Sequence, residues 1–415
     1  MFIKNFNYLN YSNKPRCVSV DNQDSPLICI DIWCKAGIAF EKKNKEGIAH
    51  FLEHMIFKGS NKLLPGEFDY KIESIGGSSN ASTGYDDAHY YVLIPPDNFT
   101  KSLGLLTNLV LNPKIEKKEF EKEKSVVIEE IKQQNDQPDE LLFNIFLNKV
   151  WGNNLYSKSI LGEETFIREI KLDDLLEFHA ERYCTNNLAI AVSGKVPDDF
   201  ESIFFNLKFN NKKKPNYDKD NIDFNQIINC GRDVIKLEKL HFSRILMAWQ
   251  IPSNNNQRLI IGFEILASIL SDGKNSKLSK PLKEEKSLVE SIYVDVNAGE
   301  FGSILILEAS CEKKNLSLVE GKINEIINDL VNESEDIDKY LKRSINIIRS
   351  NYFFNLETSS QLSEFFGNNL LWGRYDPVNK LDEHLNYWDN KSNFREILKY
   401  LSNKKFTLIA ETLTK

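Results

Sequence analysis

The sequence predicts an α+β protein built from two duplicated domains, and three observations carry that expectation. The chain has 415 residues with 41% hydrophobic content, more than a single core of roughly 250 to 300 residues accommodates. Residues 207–225, KFNNKKKPNYDKDNIDFNQ, are polar, charged and nearly free of large aliphatic side chains, as an exposed interdomain linker is. On either side of this segment strands and helices follow in the same order. The expected domains are therefore residues 1–206 and 226–415.

The first half opens with a strand pattern, SPLICIDIWCKAG. A helix follows, ended by Gly59 after a last-turn lysine, and a second helix starts after Pro65. GGSSNASTGYDD and AHYYVLIP are short β-leaning runs bounded by Gly, Asp and Pro. Helices are expected over roughly 97 to 110 and 116 to 135, after Pro138, and near 172 to 183, before the strand NNLAIAVSGKV. In the second half FSRILMAWQIP reads as a strand, RLIIGFEILASILSDG as a helix and SIYVDVNAGEFGSILILEASC as a strand pair. Long helices near 316 to 331 and 336 to 355, the segment FREILKYLSN and the strand KFTLIAETL complete the repeat.

Composition excludes several classes of function. The net charge is -7, with 53 basic and 60 acidic residues interspersed, so no basic face stands out for nucleic acid or anionic lipid. No run approaches the about 18 uninterrupted apolar residues of a membrane span, and MFIKNFNYLN lacks a long apolar core followed by small residues. The six cysteines are scattered, without a C-x-x-C pair, and read as reduced structural thiols. A soluble cytoplasmic protein is expected.

The chemistry concentrates in HFLEHMIFKG, residues 50 to 59. On a helix, His50, Glu53 and His54 share one face. Histidines at i and i+4 can share a zinc ion, and the carboxylate one position before the second histidine can reach a metal-held water. Phe51, Leu52, Met55 and Ile56 would pack the rest of this helix. The alternative is a pair of core histidines beside an unrelated glutamate. Two histidines do not hold a catalytic zinc securely, so a third ligand is expected elsewhere. EKEKSVVIEEI, residues 121 to 131, is the best source. Glu123 and Glu130 lie seven residues apart on one helix face, with Val126, Val127 and Ile131 as an adjoining apolar stripe. Glu129 remains a rival ligand on periodicity alone, and a solvated surface helix with Glu/Lys pairs is the bland reading.

At these residues the chain resembles the inverzincins, specifically the pitrilysin, insulinase and mitochondrial processing peptidase family. The resemblance runs through GIAHFLEHMIFKGS, PGEFDYKIESIGGSSNASTGYDDAHYYVLIP and ERYCTNNLAIAVSG, in family order. Members carry H-x-x-E-H and, some 76 residues on, a glutamate ligand with another glutamate seven residues before it; here those positions are Glu130 and Glu123. The resemblance implies one zinc ion per chain, held by His50, His54 and Glu130. Glu53 would activate the hydrolytic water and Glu123 would support the ligands from behind. It further implies two mainly antiparallel sheets packed with helices in a clam-shell, the first domain catalytic and the second without zinc ligands. GGSSNAST is implied to be an edge strand to which a peptide adds as a further strand, making Asn80 and Ala81 substrate-backbone candidates; the bland alternative is a turn followed by a strand. His89, His179, His241 and His384 match no ligand position and read as structural or exposed.

The chain departs from the family where active members present an arginine and, seven residues later, a tyrosine. KLSKPLKEEKSLVESIYV places Lys283 and Glu290 there, with Tyr293 offset by three. Lysine lacks the planar, bidentate guanidinium, and an ionised glutamate cannot donate to an oxyanion. Some bacterial relatives split these duties between two subunits. The expectation is therefore a zinc metalloendopeptidase acting on peptides or unfolded polypeptides beside a homologous partner that carries the Arg/Tyr pair. That partner is a separate chain or a second copy. The alternatives are a non-catalytic, chaperone-like scaffold subunit and a zinc hydrolase of small molecules.

Overall fold

The computed structural model describes residues 6–209, 227–332 and 337–413. From residue 210 onward the expected linker lies outside the described residues. Within them the chain forms two compact units, each with its own sheet and hydrophobic core.

The first sheet uses β1 (Phe6–Leu9), β2 (Arg16–Asp21), β3 (Ile28–Cys34), β4 (Ser78–Thr83), β5 (Ala88–Ile94) and β6 (Leu188–Gly194) in the order β1-β2-β6-β3-β5-β4. Only β2 and β6 pair in parallel. ICIDIWC and LAIAVSG, the sequences of β3 and β6, are buried at every position, as strands covered on both faces require. AHYYVLI of β5 alternates buried and half-buried residues. SSNAST of β4, the edge strand, alternates exposed and half-buried residues up to buried Thr83. The helices that follow in sequence are α1 (Ile48–Ile56), α2 (Glu67–Glu73), α3 (Phe99–Leu111), α4 (Lys117–Asp136), α5 (Pro138–Trp151), α6 (Glu164–Glu169), α7 (Leu172–Arg182) and α8 (Phe200–Asn206).

The second sheet has β7 (Gly231–Leu237), β8 (Ser243–Ile251), β9 (Ser291–Ala298), β10 (Ser303–Cys311) and β11 (Lys405–Thr412) in the order β7-β11-β8-β10-β9, with β7 and β11 parallel. The helices in this part of the sequence are α9 (Gln257–Ser271), α10 (Leu316–Val331), α11 (Asp338–Phe354), α12 (Ser359–Leu371), α13 (Pro377–Trp388) and α14 (Lys391–Tyr400). Strand for strand, β7-β11-β8-β10-β9 repeats β2-β6-β3-β5-β4, including its single parallel pair. The duplication expected from element order is thus present in the topology. In the position that α1 holds after β3, the second sheet has α9, whose sequence contains no histidine.

The compact units do not follow the halves of the sequence. α12 lies on β2, β3 and β6 of the first sheet. There Ser363 Oγ meets Ser193 Oγ at 2.9 Å, and Asp87 Oδ2 accepts bonds from Asn368 and from Trp372 of the adjoining turn. Reciprocally, α5 belongs to the second unit, where its Asp139 accepts a bond from Arg244 of β8 at 2.9 Å. All six cysteines are free, five of them buried. No helix among the described residues is long and apolar enough to cross a membrane.

Candidate metal centre

α1 begins under unusual constraints. Its N-cap is Gly47, in the left-handed region at φ +92, where a Cβ would meet the carbonyl oxygen of Leu161 at 2.5 Å. Glycine also offers no capping side chain to the orphan N–H groups of the first turn. The Glu41 carboxylate takes that role from outside the helix, accepting from Gly47 N at 3.0 Å and Ala49 N at 2.9 Å. Burial pushes Glu41 up to about 8, against the pull of those two bonds. Phe51, Leu52, Met55 and Ile56 are fully buried, and the Phe51 ring stacks at 5.2 Å on Phe120 of α4. The turn bearing His50 is therefore held at its start by Glu41 and along its inner face by α4.

α4 presents Phe120, Glu123, Val127, Ile128 and Ile131 to the interior. One expectation needs correction: Val126 is exposed and Ile128 is buried in its stead. The buried residues Phe120, Glu123, Val127, Ile128 and Ile131 centre the inner face on Val127 and Ile131, with Glu123 at one margin and Ile128 at the other, so Val126, beyond Glu123, meets solvent.

The His50 and His54 rings lie 4.7 Å apart, inclined at 67°. Glu130 Oε2 is 3.9 Å from His50 Nε2 and 3.5 Å from His54 Nε2. One donor atom from each of these residues falls within 4.8 Å of the others. A tetrahedral ion with bonds of about 2.1 Å spaces its ligands about 3.4 Å apart, so two imidazoles and a carboxylate in this arrangement suit zinc. Burial, with His54 nearby, pushes His50 down to about 3, leaving the neutral imidazole that a metal requires. His50 Nδ1 is buried without a hydrogen-bond partner, a departure from the usual bonding of a ligating histidine's second nitrogen. Glu129 turns away to pair with Lys132 at 2.7 Å.

Behind the trio, His54 Nδ1 faces Glu123 Oε1 at 3.3 Å, and Lys58 Nζ lies 2.9 Å from Glu123 Oε2. Glu53 Oε2 accepts the Thr83 hydroxyl at 2.5 Å. Burial raises the Glu53 carboxyl, opposed by Thr83, His54 and His89. Thr83 ends the edge strand β4, which also carries Asn80 and Ala81; there Ala81 N donates to Asn80 Oδ1 at 2.9 Å. His89 on β5 binds buried Asp31 through Nδ1 at 3.1 Å and stacks on Trp33 at 4.1 Å. Burial alone would lower its pKa, and Asp31 raises it. His179 is buried against the carbonyl of Val110, His384 is buried and His241 is exposed.

In the second unit Lys283 and Glu290 are exposed. Tyr293 donates its hydroxyl to Glu308, which also pairs with Arg244 at 3.3 Å. Sequence reasoning missed Thr83, Glu41, Lys58 and Asp31. Lys58, four residues after His54, carried a helical-spacing signal. The other three reach the site only through the fold.

The family model described as Insulinase (Peptidase family M16) matches residues 16–164, and that described as Peptidase M16 inactive domain matches residues 169–344. The chain belongs to this insulinase and pitrilysin family of peptidases. Among its curated relatives is an uncharacterized zinc protease of Rickettsia bellii, 27% identical over 375 residues that span 90% of this chain and 89% of the relative. Another is a probable mitochondrial-processing peptidase subunit beta of Arabidopsis thaliana, 23% identical over 96% of this chain and 76% of the relative. The crystal structure of a Helicobacter pylori protease shares the fold with a TM-score of 0.84, at 23% identity, over 98% of this chain and 99% of that one.

Proposed function

We propose that this chain is the zinc-bearing subunit of a metalloendopeptidase that cleaves extended or unfolded peptides. The observation that carries this reading is the convergence of His50, His54 and Glu130, with Glu53 on the same helix face and held by Thr83. His50, His54 and Glu130 would hold one zinc ion. When bound there, zinc supplies an acidified water and polarises the scissile carbonyl. Glu53 would take a proton from the attacking water on its carboxylate as the new C–O bond forms, and would then deliver it to the leaving amine nitrogen as the peptide C–N bond breaks. Asn80 and Ala81 on the edge strand β4 bind the substrate backbone, since an edge presents N–H and C=O groups outside the ladder and asks little of sequence; the Ala81 N–H would exchange its Asn80 Oδ1 partner for the peptide.

Lys283 and Glu290 supply no guanidinium and phenol for substrate and oxyanion, so the reading includes a homologous partner that does. The six free thiols fit a reducing, cytoplasmic setting. The same Lys283 and Glu290 favour a second reading, a non-catalytic scaffold subunit. Purified chain, alone and with proteins captured from its host, is tested for zinc content and for cleavage of unfolded polypeptides. Zinc-dependent cleavage that rises sharply with a captured homologue supports the proposal. Efficient cleavage by the chain alone removes the partner from it, and zinc-independent or absent cleavage in every preparation refutes it.

A further inference from the structure

We propose that Lys58 is a positioning residue of the metal centre, acting on His54 through Glu123. The inference rests on the metal-binding part of the reading above and not on peptide hydrolysis. Lys58 follows His54 by four residues, so it lies on the same side of the chain as that ligand. The helix ends at Ile56, yet Phe57 keeps a right-handed helical conformation and Lys58 N still donates to Met55 O at 3.1 Å. Immediately afterwards Gly59, at φ +115, turns the chain so tightly that a Cβ there would meet Leu63 O at 2.7 Å. Ser60 N then bonds Leu63 O at 2.9 Å, and Lys114 N bonds Gly59 O at 3.1 Å. The backbone at Lys58 is thus fixed on both sides, and its side chain returns along α1 to Glu123.

The carboxylate it meets is one that needs a cation. The Glu123 side chain is only 6% exposed, and a carboxylate taken from water is costly unless its oxygens are satisfied. Oε1 faces His54 Nδ1 at 3.3 Å and Oε2 is paired with the Lys58 ammonium at 2.9 Å, so each oxygen has one partner. With Lys58 present, the Glu123 carboxylate is held from both sides and orients the His54 ring. Without Lys58, the second oxygen faces the interior unpaired. The carboxylate is then free to rotate, and the bond that fixes the His54 ring and its tautomer weakens. Outer partners of this kind are worth about 10- to 100-fold in metal affinity.

The test compares wild type with K58M, K58R, E123Q and E123Q/K58M. Zinc affinity is measured by competition with a chromophoric chelator, the ligand field by the visible spectrum of the cobalt(II) protein, and folding by apo-protein melting. K58M is expected to bind zinc about 10- to 100-fold more weakly and to shift the cobalt bands, and K58R to recover affinity to within about threefold. In the E123Q background K58M is expected to cost no more than about threefold, because its effect passes through Glu123. If K58M fails to fold, K58Q takes its place in the same comparison. The proposal is overturned if the charge-removing variant leaves zinc affinity and cobalt spectrum unchanged, or if its loss is as large without Glu123 as with it. A wild-type protein that binds zinc but cleaves nothing leaves this inference standing while the peptidase reading falls. One that binds no metal overturns both.

Discussion

Replacing Glu53 with glutamine separates proton transfer from every other duty of the site. The two side chains have the same shape, and the glutamine amide oxygen can still accept the Thr83 hydroxyl that Glu53 Oε2 accepts at 2.5 Å. What is lost is the basic oxygen. Positioned acid–base groups contribute about 10²- to 10⁴-fold to rate, or roughly 3 to 5 kcal/mol of barrier. Stability changes little, because two effects oppose each other. The hydrogen bond from Thr83 weakens by about 1 kcal/mol when its acceptor becomes neutral, while the cost of burying a carboxylate, visible in the raised pKa of Glu53, disappears. E53Q is therefore expected to lower kcat for an internally quenched peptide by 10²- to 10⁴-fold, a range taken directly from that contribution. Zinc content and melting temperature should match wild type. A loss of activity smaller than about tenfold contradicts the role of Glu53 as base. Loss of zinc in parallel with activity makes Glu53 a ligand instead.

E130Q should weaken zinc binding by more than the about 10- to 100-fold that outer partners are worth. E129Q should leave it within about twofold, because Glu129 is engaged in a surface pair with Lys132; equal effects in a chelator competition would refute the ligand assignment. Glu264 of α9 gives a pH prediction: burial raises its carboxyl from 4.5 to about 7, although the Tyr352 hydroxyl donates to it at 3.3 Å. The folded-state value exceeds the unfolded one, so this contribution is complete below about pH 4.5 and is lost as pH rises through 7, on the order of 3 kcal/mol. Urea midpoints at pH 5.5 and 8.5 should differ accordingly in wild type and much less in E264Q, and an equal slope in both proteins would refute it.

Local signals in the sequence made much of this architecture legible. α3, α4, α7, α9, α10 and α11 begin and end within a few residues of the positions that periodicity and caps indicate. Pro138 opens α5 as the first-turn preference for proline predicts. Both histidines and Glu53 were readable because one helix carries them. Glu130 was separable from Glu129 only through the family spacing, since neighbouring positions on a charged helix differ little in pattern. Val126 and Ile128 show the same limit, where a phase shift of one or two residues exchanges an exposed side chain for a buried one. β7 escaped notice because GRDVIKL has only exposed and half-buried positions and few apolar residues to alternate. The exchange of α5 and α12 between units was invisible for a different reason: an amphipathic helix records that it has an apolar partner, not which sheet provides it. Glu41, Thr83 and Asp31 likewise meet their partners through tertiary packing, and only Lys58 shared a helical spacing with a residue already singled out.

Every role assigned above depends on His50, His54 and Glu130 holding a zinc ion. Anomalous diffraction at the zinc edge from crystals of the metal-loaded protein tests it most directly. The expected result is one strong peak within bonding distance of His50 Nε2, His54 Nε2 and a Glu130 carboxylate oxygen, lost in E130Q crystals. A peak at other residues, or none in fully loaded protein, would show that these three residues do not hold the metal.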